Sequence, residues 1–514
     1  MELQAYGVLA RFYLGDLNPI QLNQHAEVFR PPHCVYVLNT EEDVNILLIC
    51  SSELKPTKNS HWFFLCVFSV FGGFSVKKNE YEVKGQTSGV YPLFENLPVS
   101  VLSERLSVYG EIFHAIRAQR ELDLNKERHI LVKDNIAVDG FTTTAGSRAL
   151  LHFTLPQNPA ITKLTAAGYD IFGKTNLTEF AGFLTTNRII EGYSSVGGFG
   201  KNPHGNFACG GSSSGSAIAV AAGLCDAALG TETKGSLMIP GLRNGVFAFK
   251  PTVGLISRRN VVPISHNFDT IGILARSMDL ILEMLPVLAG HDSEDSQTEV
   301  TSQISLTALT PATKRIRVGV LQIAGAPKLD SESEELFKRF LEKATKENIE
   351  FVPVTATNPK EDYELITSVD FSREIDALLS RYATGNVPGS FATLCECYEK
   401  DPTLRPFGMN RLLLAKKLSS EVTKATYDEK VKETVFGNRE AISQLLKANR
   451  VDVLLNVGFI PWWALSGAPS LAIPIGKKAS GEPVGVMLGT AITEDAKLLR
   501  IGLALEKILR NNSN

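Results

Sequence analysis

Three stretches hold residues from which acyl chemistry can be built: ILVKDNIAVDGFTTTAGS (130–147), CGGSSSGSAIAVAAGL (209–224) and LGTETKGSLMIP (229–240). Each sets small or hydroxyl-bearing residues in a loop at the end of an apolar segment, where α/β proteins build their sites. A serine hydroxyl is a weak nucleophile until a base removes its proton. A lysine serves as that base only when neutral, so its pKa must fall from about 10.4 through burial or nearby positive charge. Lys133 follows the apolar run Ile-Leu-Val and precedes a polar Asp-Asn turn, a placement that favours burial. Ser236 then offers a nucleophile, and Ser212, in a loop of its own, a proton relay between the two.

Two other readings of these loops compete. A phosphate loop needs G-x-x-x-x-G-K-[ST], but here the lysine, Lys234, precedes the second glycine, and Glu232 would repel phosphate. Gly211-Ser212-Ser213-Ser214-Gly215 satisfies the G-x-S-x-G nucleophile elbow. That elbow needs a preceding strand, which GNFACG is not, and a later histidine, for which only His266 and His291 remain.

The elements that must position these loops alternate from Ile130 onward. GYDIFGKTN (168–176) and RIRVGVLQ (315–322) read as strands, and SAIAVAAGL (216–224) as a small-residue helix. SESEELFKRFLEKATKENIEFVPV (331–354) reads as an amphipathic helix and a strand, and ITEDAKLLRIGLALEKIL (492–509) as a terminal helix. That alternation predicts an α/β layer architecture. The polar segment 291–314 predicts an exposed connection. Before Ile130, VYVLN (35–39), VNILLIC (44–50) and WFFLCVFSV (62–70) read as strands of a small α+β unit, followed by a helical pattern over 99–124.

The run Trp62 to Val76 is the most lipophilic. It falls short of the ~20 residues a bilayer span needs, and Gly72-Gly73 divides it into two strands joined by a turn. A composition of 44% hydrophobic and 21% charged residues with net charge −3 fits a soluble globular protein and gives no sign of nucleic-acid binding. The seven cysteines are scattered and their only close pair is C-x-C, Cys395 and Cys397, which is neither a disulfide framework nor a zinc pattern. With no basic leader at the start, a reducing, cytoplasmic setting is expected.

Taken together the three stretches resemble the amidase signature family, whose pattern runs K-D-N…G-x-x-T-x-x-G-S, G-G-S-S-G-G-S, G-T-D-x-G-G-S-[IV]-R-x-P and G-[LF]-K-P-T-x-G-x-[IV]-S. Lys133-Asp134-Asn135, Thr144 to Ser147, Gly210 to Ser216, Gly230 to Ser236 and FKPTVGLISRRNVVP (249–263) follow it in order and spacing, as does GKTNLTEFA (173–181). The resemblance spans roughly 95–514, and the segments 372–418, 451–459 and 464–490 look like its peptide-amidase-like branch. It implies a large mixed sheet covered by helices on both faces (93–514) behind a small accessory domain (1–92). It also implies a Ser236–Ser212–Lys133 triad with a cis bond before Ser212, an oxyanion hole of the Thr233, Lys234, Gly235 and Ser236 N–H groups, and bracing hydroxyls on Ser213 and Thr231. Neither metal nor cofactor is called for.

Two departures bear on the site. Lys234 stands where the family has glycine, either pointing away as a surface charge or lining the pocket and helping to hold Lys133 neutral. Met238 stands where the family has arginine, which weakens the case for an acidic substrate. Trp462 and Trp463 are candidates for an apolar acyl wall or for packing. The expected activity is hydrolysis of a small-molecule or peptide-like amide through an acyl-enzyme. The alternatives are amide formation from the same intermediate and a catalytically degenerate scaffold protein. A homodimer or partner could dock on the N-terminal unit.

Overall fold

The computed structural model describes five strands in the first 112 residues and residues 113–510, except 124, 187–190, 302–303, 307–308, 313–314, 324 and 326–327. The chain forms two compact units, Met1–Ser88 and Gly89–Asn514. In the first, β1 (His33–Asn39), β2 (Asn45–Ser51) and β3 (Leu65–Phe68) make an antiparallel sheet, and β4 (Val76–Lys78) pairs with β5 (Tyr81–Val83). The strands flanking Gly72-Gly73 therefore belong to different sheets, and the glycine pair itself lies outside the described residues.

The second unit is built on an eleven-stranded mixed sheet. Its strands are β6 (Ile116–Gln119), β7 (His129–Lys133), β8 (Asp170–Thr175), β11 (Ala227–Glu232), β12 (Phe247–Lys250), β13 (Thr270–Ala275), β14 (Ile316–Ile323), β15 (Ile349–Ala356), β16 (Val453–Val457), β17 (Ser470–Lys477) and β18 (Pro483–Gly489). They lie in the order β15-β14-β16-β18-β17-β12-β13-β11-β7-β8-β6, and a two-residue ribbon, β9 (Tyr193–Ser194) with β10 (Gly198–Phe199), stands apart. Side chains alternate across a strand. Ile130, Val132, Ala227, Leu229, Ile271 and Ile273 thus share one face and a core with the helices Pro159–Ala166, Met278–Leu288 and Asp495–Arg510. The other face takes the helix Ser214–Ala221, buried at every residue. Gly215 is glycine because a Cβ there would meet backbone oxygens of Ala115 and Asn176 at 2.4 and 2.5 Å.

Two sequence expectations are corrected. Ile116–Gln119, inside the predicted helix 99–124, is an edge strand antiparallel to β8, with Ile116 opposite Thr175 and Gln119 opposite Gly173. The open edge of β8 captures it, a tertiary demand that overrides a helical pattern; residues 99–112 of that pattern lie outside the described residues. The segment 291–314 is more than an exposed connection. Asp292, Asp295 and Thr298 are buried, Ser257 Oγ donates to Asp292 at 2.6 Å, and Arg258 pairs with Asp295 at 2.8 Å.

Asp134 fixes the point where β7 leaves the sheet. This fully buried carboxylate lies 2.6 Å from Arg117 and 3.2 Å from Lys174, and accepts from Thr144 Oγ1. Removing one partner of a buried ion pair strands the rest, at a cost of about 3–5 kcal/mol. Asp134→Ala is expected to lower unfolding free energy by about that amount; a denaturant midpoint equal to that of the unaltered protein would contradict this.

Candidate active site

Lys133 ends β7, which runs parallel to β11 with Ile130 opposite Ala227 and Val132 opposite Leu229. Thr231 therefore comes alongside Lys133 at the carboxyl ends of both strands, the position at which open α/β sheets hold their sites. The Lys133 side chain is completely buried. Its Nζ lies 2.7 Å from Ser212 Oγ, 2.8 Å from Thr231 Oγ1 and 3.1 Å from Thr231 O, while Asn135 Nδ2 donates to Thr231 Oγ1 at 3.0 Å. Burial pushes the Lys133 pKa down to about 7, against the opposing pull of the Asp269 and Glu232 charges. A neutral amine has two N–H donors and one lone pair. Here two acceptors on Thr231 and one hydroxyl able to donate, that of Ser212, match it.

The Gly211–Ser212 peptide bond is cis, as the family resemblance implies. Ser213 pins this loop in place. Its Oγ donates to Thr231 O at 3.0 Å and accepts from Thr231 N at 3.3 Å, and its N–H donates to Ser236 O at 3.1 Å. Ser212 and Ser236 thus sit on loops held side by side.

Ser236 lies in the turn between β11 and the short helix Met238–Asn244. Glu232 closes that turn, accepting from Leu237 N at 2.7 Å and Met238 N at 3.0 Å. Gly235, at φ 92°, holds a left-handed conformation that other residues rarely adopt, and a Cβ there would come within 2.8 Å of Ile239 and Phe459. Among the described residues, the N–H groups of Lys234, Gly235 and Ser236 have no protein acceptor.

Lys234 does not fall in the left-handed region, so the loop admits a residue with Cβ at the family's glycine position. Its ammonium pairs with Glu361 and stands 4.2 Å above the Tyr363 ring. The charge is thereby engaged away from Lys133. Met238, Trp462 and Trp463, expected near a pocket, are packed inside the fold at 0%, 2% and 0% exposure. Trp463 lies flat against β18, where a Cβ on Gly489 would come within 2.1 Å of the indole. The cavity beside the site is instead bordered by Asn135, Thr231, Thr233, Asp269 and Thr270. Of the residues that shape the site, Asp134 and Asn135 were visible only as neighbours of Lys133. Glu232 stood in the Gly230 to Ser236 motif without a role of its own, and Asp269 and Phe459 carried no signal, since each acts through contacts that only the fold creates.

Comparison with known proteins bears on the family and the fold. A family model described as Amidase matches residues 129–458. The chain is 30% identical over 446 residues, 80% of its length, to a probable amidase of Arabidopsis thaliana, 86% of which is covered. It is also 30% identical over 432 residues, 76% of its length, to a glutamyl-tRNA(Gln) amidotransferase component of Rippkaea orientalis, again covering 86% of that protein. Native peptide amidase from Stenotrophomonas maltophilia superposes with a TM-score of 0.72 at 26% identity, over 83% of this chain and 97% of that one.

Lys234 and Glu361 are both partly exposed, and such pairs contribute at most about 1 kcal/mol. Lys234→Ala is expected to destabilise the protein by no more than about that, and to leave the pH midpoint of serine labelling by a fluorophosphonate where it was. A midpoint shifted upward would show that the Lys234 charge helps to keep Lys133 neutral.

Proposed function

Because this chain belongs to the amidase signature family and is an amidohydrolase, we propose that it cleaves an amide C–N bond through an acyl-enzyme on Ser236, with Ser212 as relay and Lys133 as base. The observation that carries this reading is the buried Lys133 amine, 2.7 Å from Ser212 Oγ with its pKa lowered to about 7. Ser236 Oγ attacks the carbonyl carbon, its proton passing to Ser212 as the Ser212 proton passes to Lys133. The N–H groups of Thr233, Lys234, Gly235 and Ser236 receive the charge that develops on the carbonyl oxygen. The proton then returns along the same path to the departing nitrogen as the C–N bond breaks. Water, giving up a proton to the same relay, attacks the ester and releases the acid.

An amine acceptor in place of water would turn the same intermediate into a new amide, and some relatives are named as parts of an amidotransferase. Products analysed with and without added amines separate the two outcomes. A scaffold protein needs no buried lysine amine held against a serine hydroxyl, and the Lys133–Ser212 pair weighs against that alternative.

Ser236→Ala and Lys133→Ala are each expected to lower kcat by about a thousandfold or more, as loss of a triad member does elsewhere. Near-normal turnover in either would contradict the mechanism. Below its pKa Lys133 is protonated and cannot accept a proton, so activity should rise with pH through about 7. A profile flat across neutrality would remove Lys133 from the role of base.

A further inference from the structure

We propose that Asp269 is a positioning residue for this site, holding the oxyanion loop through Thr233 and setting a carboxylate on the cavity that Thr231 and Asn135 also border. The inference rests on the assignment of Ser236, Ser212 and Lys133 above.

The sheet register delivers Asp269 to the loop. Glu232 and Thr270 are opposite one another in the antiparallel pair β11–β13, so the next residue outward on each strand, Thr233 and Asp269, meets beyond the ladder. There Thr233 Oγ1 donates to Asp269 Oδ1 at 2.6 Å. The other carboxylate oxygen accepts from Ile264 N at 2.7 Å and Ser265 N at 2.9 Å. One acid thus joins the first residue of the oxyanion loop to the segment that precedes β13. This link acts at the start of the loop, while the Glu232 and Ser213 hydrogen bonds hold its far end.

The same carboxylate reaches the base through space. Asp269 and the Thr231–Asn135 pair that surrounds Lys133 border one small cavity. The charges that act on Lys133 are those of Asp269 and Glu232; its other neighbours, Ser212, Thr231 and Asn135, are neutral. Glu232 is committed to the Leu237 and Met238 amides, with Lys250 nearby. Around Asp269 stand Thr233, the Ile264 and Ser265 amides, the Glu374 carboxylate, Tyr363, and Arg258, which donates to the Asp269 backbone oxygen at 3.4 Å. Burial raises the Asp269 pKa to about 6, which leaves it charged at neutral pH. A nearby anion favours the ammonium form, so Lys133 gives up its proton at a higher pH than burial alone would set.

The two roles separate by mutation. Asp269→Asn can turn its carbonyl oxygen to the Ile264 and Ser265 amides and its NH2 to Thr233, keeping the link while losing the charge. Thr233→Val keeps the charge and loses the link. The readout is the rate of adduct formation with a fluorophosphonate, followed by intact mass across the neutral pH range, with Ser236→Ala as control. Asp269→Asn should move the midpoint of the rise to lower pH by about half a unit or more. Thr233→Val should slow labelling about tenfold or more with the midpoint unmoved, and Thr233→Ser should restore the rate. An unmoved midpoint in Asp269→Asn, or an unchanged rate in Thr233→Val, overturns the proposal. Thr233→Val decides the positioning half even if Asp269→Asn does not fold. If Ser236→Ala still forms the adduct, the nucleophile assignment fails; if only the Asp269 and Thr233 variants behave like the unaltered protein, that assignment stands and this inference falls.

Discussion

The site depends on one constraint: a lysine amine enclosed by protein and given only neutral partners. An ammonium inside a protein loses its hydration, and that loss favours the neutral form unless an adjacent carboxylate compensates. Lys133 has Thr231 and Ser212 at hydrogen-bond distance and no acid in direct contact. The contrast with Lys174 is instructive. Equally buried, it sits 3.2 Å from Asp134 and donates to Ile136 O at 2.6 Å. Burial lowers both, Lys174 with its carboxylate to about 8 and Lys133 without one to about 7, and in the mechanism proposed it is Lys133 that accepts a proton.

The groups in contact with Lys133 hold its surroundings without placing a charge against the amine. The parallel pairing of β7 and β11 sets Thr231 beside it. Asp134, the next residue, turns its own charge toward Arg117 and Lys174. The Ser213 hydroxyl and amide bind the relay loop to β11 and to the Ser236 turn. Glu232 commits its carboxylate to the amides that close the turn, and Lys234 directs its charge outward to Glu361. Hydrogen bonds among neutral groups position Lys133 and Ser212, while the Asp134, Glu232 and Lys234 charges are paired or bound elsewhere.

How much of this the sequence disclosed follows from how local each interaction is. The loops around Lys133, Ser212 and Ser236 were legible because short contiguous motifs carry both the residues and the turns that present them. The strands β8, β14 and β15 and the terminal helix were legible from periodicity. Ile116–Gln119 was not, because an edge strand takes its conformation from the neighbour it pairs with. Trp462 and Trp463 read as a wall or as packing until the bare backbone of Gly489 showed where an indole fits. The destination of the Lys234 ammonium depended on Glu361, a residue far along the chain. Asp269 was silent for the same reason, since only the register of β11 and β13 brings it to the site.

An NMR titration of lysines labelled with carbon-13 at Cε reads the protonation state of the Lys133 amine directly, with Lys133→Met identifying the signal. A buried amine with only neutral contacts should titrate with a midpoint near 7, far below the ordinary lysine value. A Lys133 signal that titrates near about 10.4 would mean an ammonium at neutral pH, and the lysine could not then be the base for Ser236.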